Sequence, residues 1–292
     1  MAEVISPAPS CGFVYVATGA RYVTEARVSA ASLRAAMPSA KIVLITDAPV
    51  ADAESSFTQV MVVTGVQHRP IDKLLAWEAP FDHCVFLDTD THVSGDLADL
   101  FALLDSFDLA VAPETLRGLH YTLPGVPAAF SEFNTGVVAF RRTPVVAGFF
   151  QSWRSHYEQL LASHGFISDQ PAFRWTAFRS AVRIAPLPSE YHFIAHTPNY
   201  TMWQVRLVHG RDDPAAVAQE LNARLGARAY VPGFGRIEGY QGRKHWLLQL
   251  VRLFVRGLRV ALASFRPAKP SSQAHWTQEE QRLTADKRRA AP

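Results

Sequence analysis

The sequence predicts an α/β fold with a largely parallel sheet, and three observations carry that prediction. Short apolar runs alternate with segments of helical spacing from the start of the chain. The runs are Val/Ile/Leu-rich, as strands covered on both faces are. One run ends in a pair of aspartates, and open α/β sheets carry their ligands beyond the carboxyl ends of the strands.

Taken in order, GFVYVATG reads as a buried strand entering a Gly-containing loop. In TEARVSAASLRAAMP, Ala26, Ser29, Ala30, Leu33 and Met37 fall at helical spacing, with Thr24 as the expected N-cap and Pro38 as the stop. KIVLITD and QVMVVTG are the second and third strands, and IDKLLAWEAPF is expected to be helical. HCVFLDTD is a fourth strand, LADLFALLDSF a short amphipathic helix, and DLAVAPE and FNTGVVAFRR further strands. Residues 144–163 and 169–180 read as helices, RIAPLPSEYHF and VRLVHG as returns to the sheet, and PAAVAQELNARL as another helix. No internal repeat is visible.

The 292 residues suffice for one large domain or two small ones, and for a sizeable core. With 48% apolar and 19% charged residues the balance is globular rather than disordered. Two cysteines, Cys11 and Cys84, exclude a disulfide framework and a Cys-based zinc site, so a reducing compartment is expected. The segment MAEVISPAPS lacks the basic start and apolar core of a signal peptide, which points to the cytoplasm.

Charge is unevenly spread. Residues 243–292 hold 11 Lys/Arg against 3 Asp/Glu, a balance of +8, and residues 1–242 hold 18 against 23, a balance of −5. A separate role for the basic segment follows more naturally than nucleic-acid binding by the whole chain. The expected division is a catalytic-type domain over 11–242, a basic amphipathic helix over 243–266 and a disordered tail over 267–292. In the middle segment Arg252, Arg256 and Arg259 share a face with His245 and Gln249, and the remaining positions are apolar. Charges interrupt it too often for a transmembrane span. Packing on the body, a partner protein and peripheral contact with the inner face of an anionic membrane all suit it.

The chemistry centres on VFLDTDTHV. In an extended D-x-D both side chains point the same way, so Asp88 and Asp90 share a side. Two such carboxylates repel unless a cation or donor compensates them. Mg²⁺ or Mn²⁺ does this while filling its shell with ligand phosphates. The plain alternative is that Asp88 caps a turn and Asp90 is a solvated loop residue. Two chemistries use the metal arrangement. A D-x-D phosphatase uses the first Asp as nucleophile and the second as general acid, but its pattern wants Thr or Val where His92 stands. A glycosyl transferase uses the pair to hold a metal on a nucleotide-sugar diphosphate.

Several stretches together resemble the family 8 glycosyltransferases, the glycogenin-like and galactosyltransferase-like enzymes. VYVATGARYVTEARVSAASLRAAMP is similar to their opening strand, loop and helix, and DKLLAWEAPFDHCVFLDTDTHVSGDLADLF to their Lys-helix-strand-DxD block. FNTGVVAF, ISDQPAF, LPSEYHF and VRLVHG resemble four later motifs, so the likeness spans residues 13–210. It implies a GT-A nucleotide-diphospho-sugar transferase fold, with a Rossmann-like mixed sheet flanked by helices. It implies a retaining enzyme that moves a hexose from a UDP-sugar to a glycan or lipid-linked acceptor hydroxyl with Mn²⁺ or Mg²⁺.

By the same resemblance Ala17, Thr18 and Tyr22 line the uridine pocket, and Lys73 approaches the donor sugar or diphosphate. Asp88 and Asp90, flanking Thr89, bind the metal with His209 as third protein ligand. Asn134, Asp169 and Gln170 face the donor sugar and the acceptor. The residue types agree: Lys73 supplies a point charge to phosphate, a neutral imidazole completes a carboxylate site, and amides hydrogen-bond sugar hydroxyls. Each also has an ordinary reading. Asn134 could form a turn before Gly136, and Asp169 could sit at a helix N-terminus for the dipole. Two positions depart from the family. HGRDDP has no lysine after the late His-Gly, leaving Arg211 as the nearest cation, and His192 stands where Asn is usual. The other readings kept open are a nucleotide-sugar-binding protein without transferase activity and a D-x-D phosphatase.

Overall fold

A computed structural model describes residues 9–114, 123–238 and 246–264. It begins with β1 (Cys11–Ala17), α1 (Ala20–Ala36), β2 (Ile42–Thr46) and β3 (Gln59–Val62). A 3-10 helix over Pro70–Glu78 then leads into β4 (His83–Leu87), β5 (Thr91–Val93), α2 (Asp99–Leu103) and β6 (Leu109–Pro113). There follow β7 (Phe133–Arg141), α3 (Pro144–His164), α4 (Gln170–Arg179) and β8 (Ile184–Pro186). The last part comprises β9 (Phe193–Ile194), β10 (Asn199–Thr201), β11 (Leu207–His209), α5 (Pro214–Asn222), β12 (Arg228–Val231), β13 (Gly235–Glu238) and α6 (Trp246–Ser264).

Seven strands form the main sheet in the order β3-β2-β1-β4-β7-β6-β8. Only β7 runs against the others, pairing antiparallel with β4 and β6. The expected mixed, mostly parallel sheet flanked by helices is therefore what the chain builds. Alternation along the strands sends side chains to two cores. Val14, Phe86, Val138 and Phe140 pack under α3, α4 and the 3-10 helix, with Trp153 and Phe173. Phe13, Tyr15, Val85, Leu87 and Val137 pack on the opposite face with Ala26, Ala30 and Leu33 of α1. Each large apolar side chain so buried stabilises the fold by about 1.5–3 kcal/mol.

Three expectations are corrected. First, α1 starts at Ala20 with Gly19, not Thr24, at its N-cap. Gly19 has a φ of 104°, a backbone that favours glycine, and the Thr24 hydroxyl donates to the Ala20 carbonyl inside the helix. Second, IDKLLAWE forms the tighter 3-10 helix, entered at Pro70. Third, only Ile184–Pro186 rejoins the main sheet. The later runs form a separate sheet, β5-β11-β9, because the chain turns outward after the aspartate pair and β5 captures β11 antiparallel. His83 is buried at the start of β4, and desolvation lowers its pKa. The expected tail over 267–292 lies outside the described residues.

Candidate metal and nucleotide-sugar site

The site forms where β4 leaves the main sheet. Leu87 pairs with Val137 of β7, and the next backbone N–H, that of Asp88, donates to the Gly136 carbonyl at 2.8 Å. The chain then turns through Thr89 and Asp90 into β5. A buried chain of hydroxyls pins this turn: Tyr15 meets Ser29 at 2.9 Å, Ser29 meets Thr91 at 2.7 Å, and Thr91 donates to the Asp88 carbonyl at 2.8 Å. On β11, His209 pairs with Thr91, and the N–H of Gly210 donates to the Asp90 carbonyl at 3.0 Å. That pairing carries an imidazole from far along the chain to the two carboxylates.

His209 Nε2 lies 3.3 Å from Asp90 Oδ1 and 3.7 Å from Asp88 Oδ2. One ligand atom from each of the three residues lies within 4.8 Å of the other two. Ligands at about 2.1 Å from a common octahedral ion sit roughly 3 Å apart in neighbouring positions, so this set fits a small divalent cation. Gly136 makes the arrangement sterically possible. A Cβ there would stand 2.3 Å from His209 Cε1, so any side chain would push the imidazole away.

A second cluster adjoins the first. Lys73, from the 3-10 helix, keeps 11% of its side chain exposed and places its Nζ 3.6 Å from Asp88 Oδ2 and 3.4 Å from Asp169 Oδ1. It also donates to Thr135 Oγ1 at 3.1 Å, and Thr135 donates to Asp169 Oδ2 at 2.7 Å. The Asp169 carbonyl accepts from Trp153 Nε1 at 3.0 Å, tying the N-terminus of α4 to α3. A pocket of about 240 Å³ opens over both clusters, walled by Thr18, Tyr22, Asp72, Thr89, Gln170 and Arg211 among others. Asp72 accepts from Thr18 Oγ1 at 3.1 Å and from the Gln67 N–H at 2.9 Å. Arg211 reaches Asp90 Oδ2 at 3.3 Å and Glu25 Oε2 at 3.4 Å, and Glu25 also accepts from Thr89 Oγ1 at 3.0 Å.

Burial alone would lower the pKa of Lys73, but Asp169 and then Asp88 outweigh it and raise it, so the ammonium stays charged. For Asp90 burial pushes upward, yet His209 and Arg211 outweigh it and hold the carboxyl well below the usual range. Asp88 moves the other way, since burial outweighs Lys73 and His209. Burial lowers His209, but Asp90 and Asp88 outweigh it and raise its pKa. Asp88, Asp90 and Asp169 are thus faced by Lys73, Arg211 and the His209 imidazole.

Among the predicted site residues, Thr18, Tyr22, Lys73, Asp88, Thr89, Asp90, Asp169, Gln170 and His209 all line this pocket. Ala17 and Asn134 are not on its wall. Ala17 is packed in the core under α1. Asn134 is 2% exposed, with Nδ2 donating to Glu114 Oε2 at 2.7 Å and Oδ1 accepting from the Gly136 N–H at 3.0 Å. Thr135, one residue on and facing the other side of β7, contacts Lys73 and Asp169 instead. Sequence reasoning missed Thr135, Glu25 and Asp72. Strand parity was the signal for Thr135, and nothing local marks the other two. Asp213 caps α5 by accepting from the Ala216 N–H at 3.0 Å.

No family model matches the chain. No curated protein matches it either. Solved structures do. The glycosyltransferase GlyE of Streptococcus pneumoniae TIGR4 is 19% identical with a TM-score of 0.48, over 63% of this chain and 47% of that one. This chain therefore spans about half the length of GlyE. An active-site mutant of LgtC is 16% identical with a TM-score of 0.49, over 82% of this chain and 99% of that one. Mouse xyloside xylosyltransferase 1 in its apo form is 14% identical with a TM-score of 0.46, over 70% and 98%. These likenesses are loose, and the function proposed below rests on the site's own geometry.

Proposed function

We propose that the protein is a metal-dependent glycosyltransferase of the GT-A type. It moves a hexose from a UDP-sugar to an acceptor hydroxyl with retention of configuration. The observation that supports this most is the convergence of Asp88, Asp90 and His209 at the floor of a pocket that also holds Lys73 and Arg211. Asp88, Asp90 and His209 would hold the cation beside the open pocket, where a diphosphate would reach it. Mn²⁺ or Mg²⁺ held by Asp88, Asp90 and His209 would supply Lewis-acid stabilisation of negative charge on a diphosphate leaving group. Thr18 and Tyr22 at the rim bind the nucleoside, and Arg211 replaces the lysine that the family carries after its late His-Gly. Lys73 holds Asp169 by its 3.4 Å ion pair and aims it at the sugar, where Gln170 orients the acceptor. The acceptor hydroxyl attacks the face that the diphosphate leaves, and a diphosphate oxygen takes its proton. No fixed protein nucleophile is needed, although Asp169 stands ready for a transient covalent role.

Incubation with Mn²⁺ and a panel of UDP-glucose, UDP-galactose and their N-acetyl forms tests this reading. Transfer or donor hydrolysis that disappears in Asp90→Ala supports it. Binding of a UDP-sugar without turnover on any acceptor would instead make the chain a nucleotide-sugar-binding protein. Arg211 favours this second reading to a degree, because Asp90 and Glu25 already engage it. A phosphatase reading is poorer: its general acid would be Asp90, which His209 and Arg211 hold ionised.

A further inference from the structure

The helix α6 is docked by one edge and bare on another. Arg256 ion-pairs with Glu220 of α5 at 2.9 Å and donates to the Arg236 carbonyl of β13. Gly257 lies against Phe234, where a Cβ would stand 3.8 Å from its ring. The opposite side carries Leu250, Phe254, Leu258 and Leu262, one turn apart, while Val251 and Val255 border the groove between α6 and the α5/β13 surface. Phe254 is 72% exposed and Leu262 61% exposed, and the other four are also exposed. A docked surface helix normally turns such a stripe inward. Arg259, also exposed, follows at the edge of the stripe.

We propose that this stripe seats the protein on a lipid surface bearing anionic headgroups, with α6 lying in the interface. Charge selects that occupant. Residues 243–292 carry 11 Lys/Arg and 3 Asp/Glu, while residues 1–242 carry 18 and 23. An anionic surface attracts the end that carries the stripe and repels the rest. Apolar insertion plus basic attraction are the two contributions that make interfacial helices bind. Among the described residues no helix is long and apolar enough to cross a membrane, so α6 lies on the surface rather than spanning it. Its anchor on α5 matters for geometry. Asp213, the cap of α5, stands two residues after Arg211 in the pocket wall. The lobe that carries the stripe is therefore continuous with the lobe that closes the site. The proposal does not depend on the transferase reading.

The test is flotation of the full chain with vesicles of phosphatidylcholine alone and of phosphatidylcholine with phosphatidylglycerol at three to one. Phe254→Gln with Leu258→Gln removes the stripe while keeping good helix formers, and circular dichroism checks that the helix persists. Arg259→Glu tests the basic edge. The expected result is flotation with the anionic vesicles only. The bound fraction should fall about tenfold in the glutamine pair and fall also with Arg259→Glu and added salt. Failure of the full chain to float on anionic vesicles overturns the proposal. So does unchanged flotation of the glutamine pair. A dimer in sedimentation that the glutamine pair dissociates, with no flotation, assigns the stripe to a second copy instead.

Discussion

His192 Nε2 lies 3.0 Å from His209 Nδ1, and both rings are buried. Burial first, and then the neighbouring charge of His209, keeps the pKa of His192 well below its ordinary value, so it is neutral. A neutral imidazole has one donor and one acceptor. For His209 to aim a lone pair from Nε2 at a cation, its Nδ1 must carry the proton and donate to His192. The proton of His192 is then on Nδ1, which has no hydrogen-bond partner. Removing the contact frees the His209 ring, and outer partners of metal-bound histidines are worth about 10–100-fold in affinity. His192→Ala should therefore weaken Mn²⁺ binding by about that factor. His192→Asn, whose amide oxygen can accept the same hydrogen bond, should bind about as tightly as the natural chain. Mn²⁺ titration followed by electron paramagnetic resonance decides, and equal affinities in all three proteins would remove the role assigned to His192.

Gly136 and His209 give a steric counterpart. A methyl group at Gly136 would overlap the imidazole, with 2.3 Å to Cε1 and 2.6 Å to Nδ1. Overpacking of this kind costs about 1–3 kcal/mol. Gly136→Ala should lower the unfolding free energy by that amount and abolish Mn²⁺ binding in the fraction that remains folded. Retention of full Mn²⁺ affinity would mean that His209 does not ligate from this position.

The aspartate pair was legible because the buried strand Val85 to Leu87 ends in two carboxylates one residue apart, Asp88 and Asp90, which an extended chain puts on one side. Lys73 and His209 were found only through motif resemblance, since neither residue type nor local spacing marks them. Asn134 shows the limit of that route. The FNTG segment was recognised, but the pleat decides which of Asn134 and Thr135 faces the pocket, and a one-residue change of parity reverses the answer. The partner of β11 was not legible either. VRLVHG reads as a strand in any sheet, and only the outward turn at Thr89 and Asp90 brings β5 to it. Glu25 belongs to an ordinary helix surface until Arg211 arrives from the other end of the chain.

Lys73 is a largely buried cation shared between Asp88 and Asp169. Removing one member of such a pair leaves an uncompensated buried charge and typically costs 3–5 kcal/mol. Lys73→Met should lower stability by about that much, and adding Asp169→Asn should recover a large part of it. Chemical unfolding of Lys73→Met, Asp169→Asn and the double variant measures the coupling. Additive losses would show that Lys73 and Asp169 do not act as a pair.

Arg211 holds Asp90 and Glu25 and lines the pocket. If it also takes the diphosphate, it exchanges a carboxylate for a phosphate oxygen when the donor binds. A charge-assisted hydrogen bond is worth about 1.5–3 kcal/mol. Arg211→Ala should then weaken UDP binding roughly tenfold or more in the presence of Mn²⁺, while leaving uridine binding unchanged. Equal losses for uridine and UDP would place Arg211 in holding the pocket's shape rather than in phosphate recognition.

Asp108 offers a test of the fold that leaves the site alone. It is buried at the head of β6 and ties both neighbouring strands. It accepts from Arg141 Nε of β7 at 3.0 Å and from the Arg183 N–H beside β8 at 2.7 Å. Burial raises its pKa, but the Arg183 N–H and then Arg141 outweigh that, so the folded value is depressed. The unfolded value is about 3.9. A depressed folded pKa means that the contribution is fully present above the unfolded value and is lost as the pH falls through the folded one. At pH 7, Asp108→Asn should cost about 1–3 kcal/mol, as expected for hydrogen bonds to a charged acceptor. The gap between variant and natural chain should begin to close below about pH 4 and vanish once Asp108 is protonated in the folded state. Urea unfolding at a series of pH values gives the curve. A gap independent of pH from 7 down to 3 would show that the carboxylate charge contributes nothing to holding β6 between its neighbours.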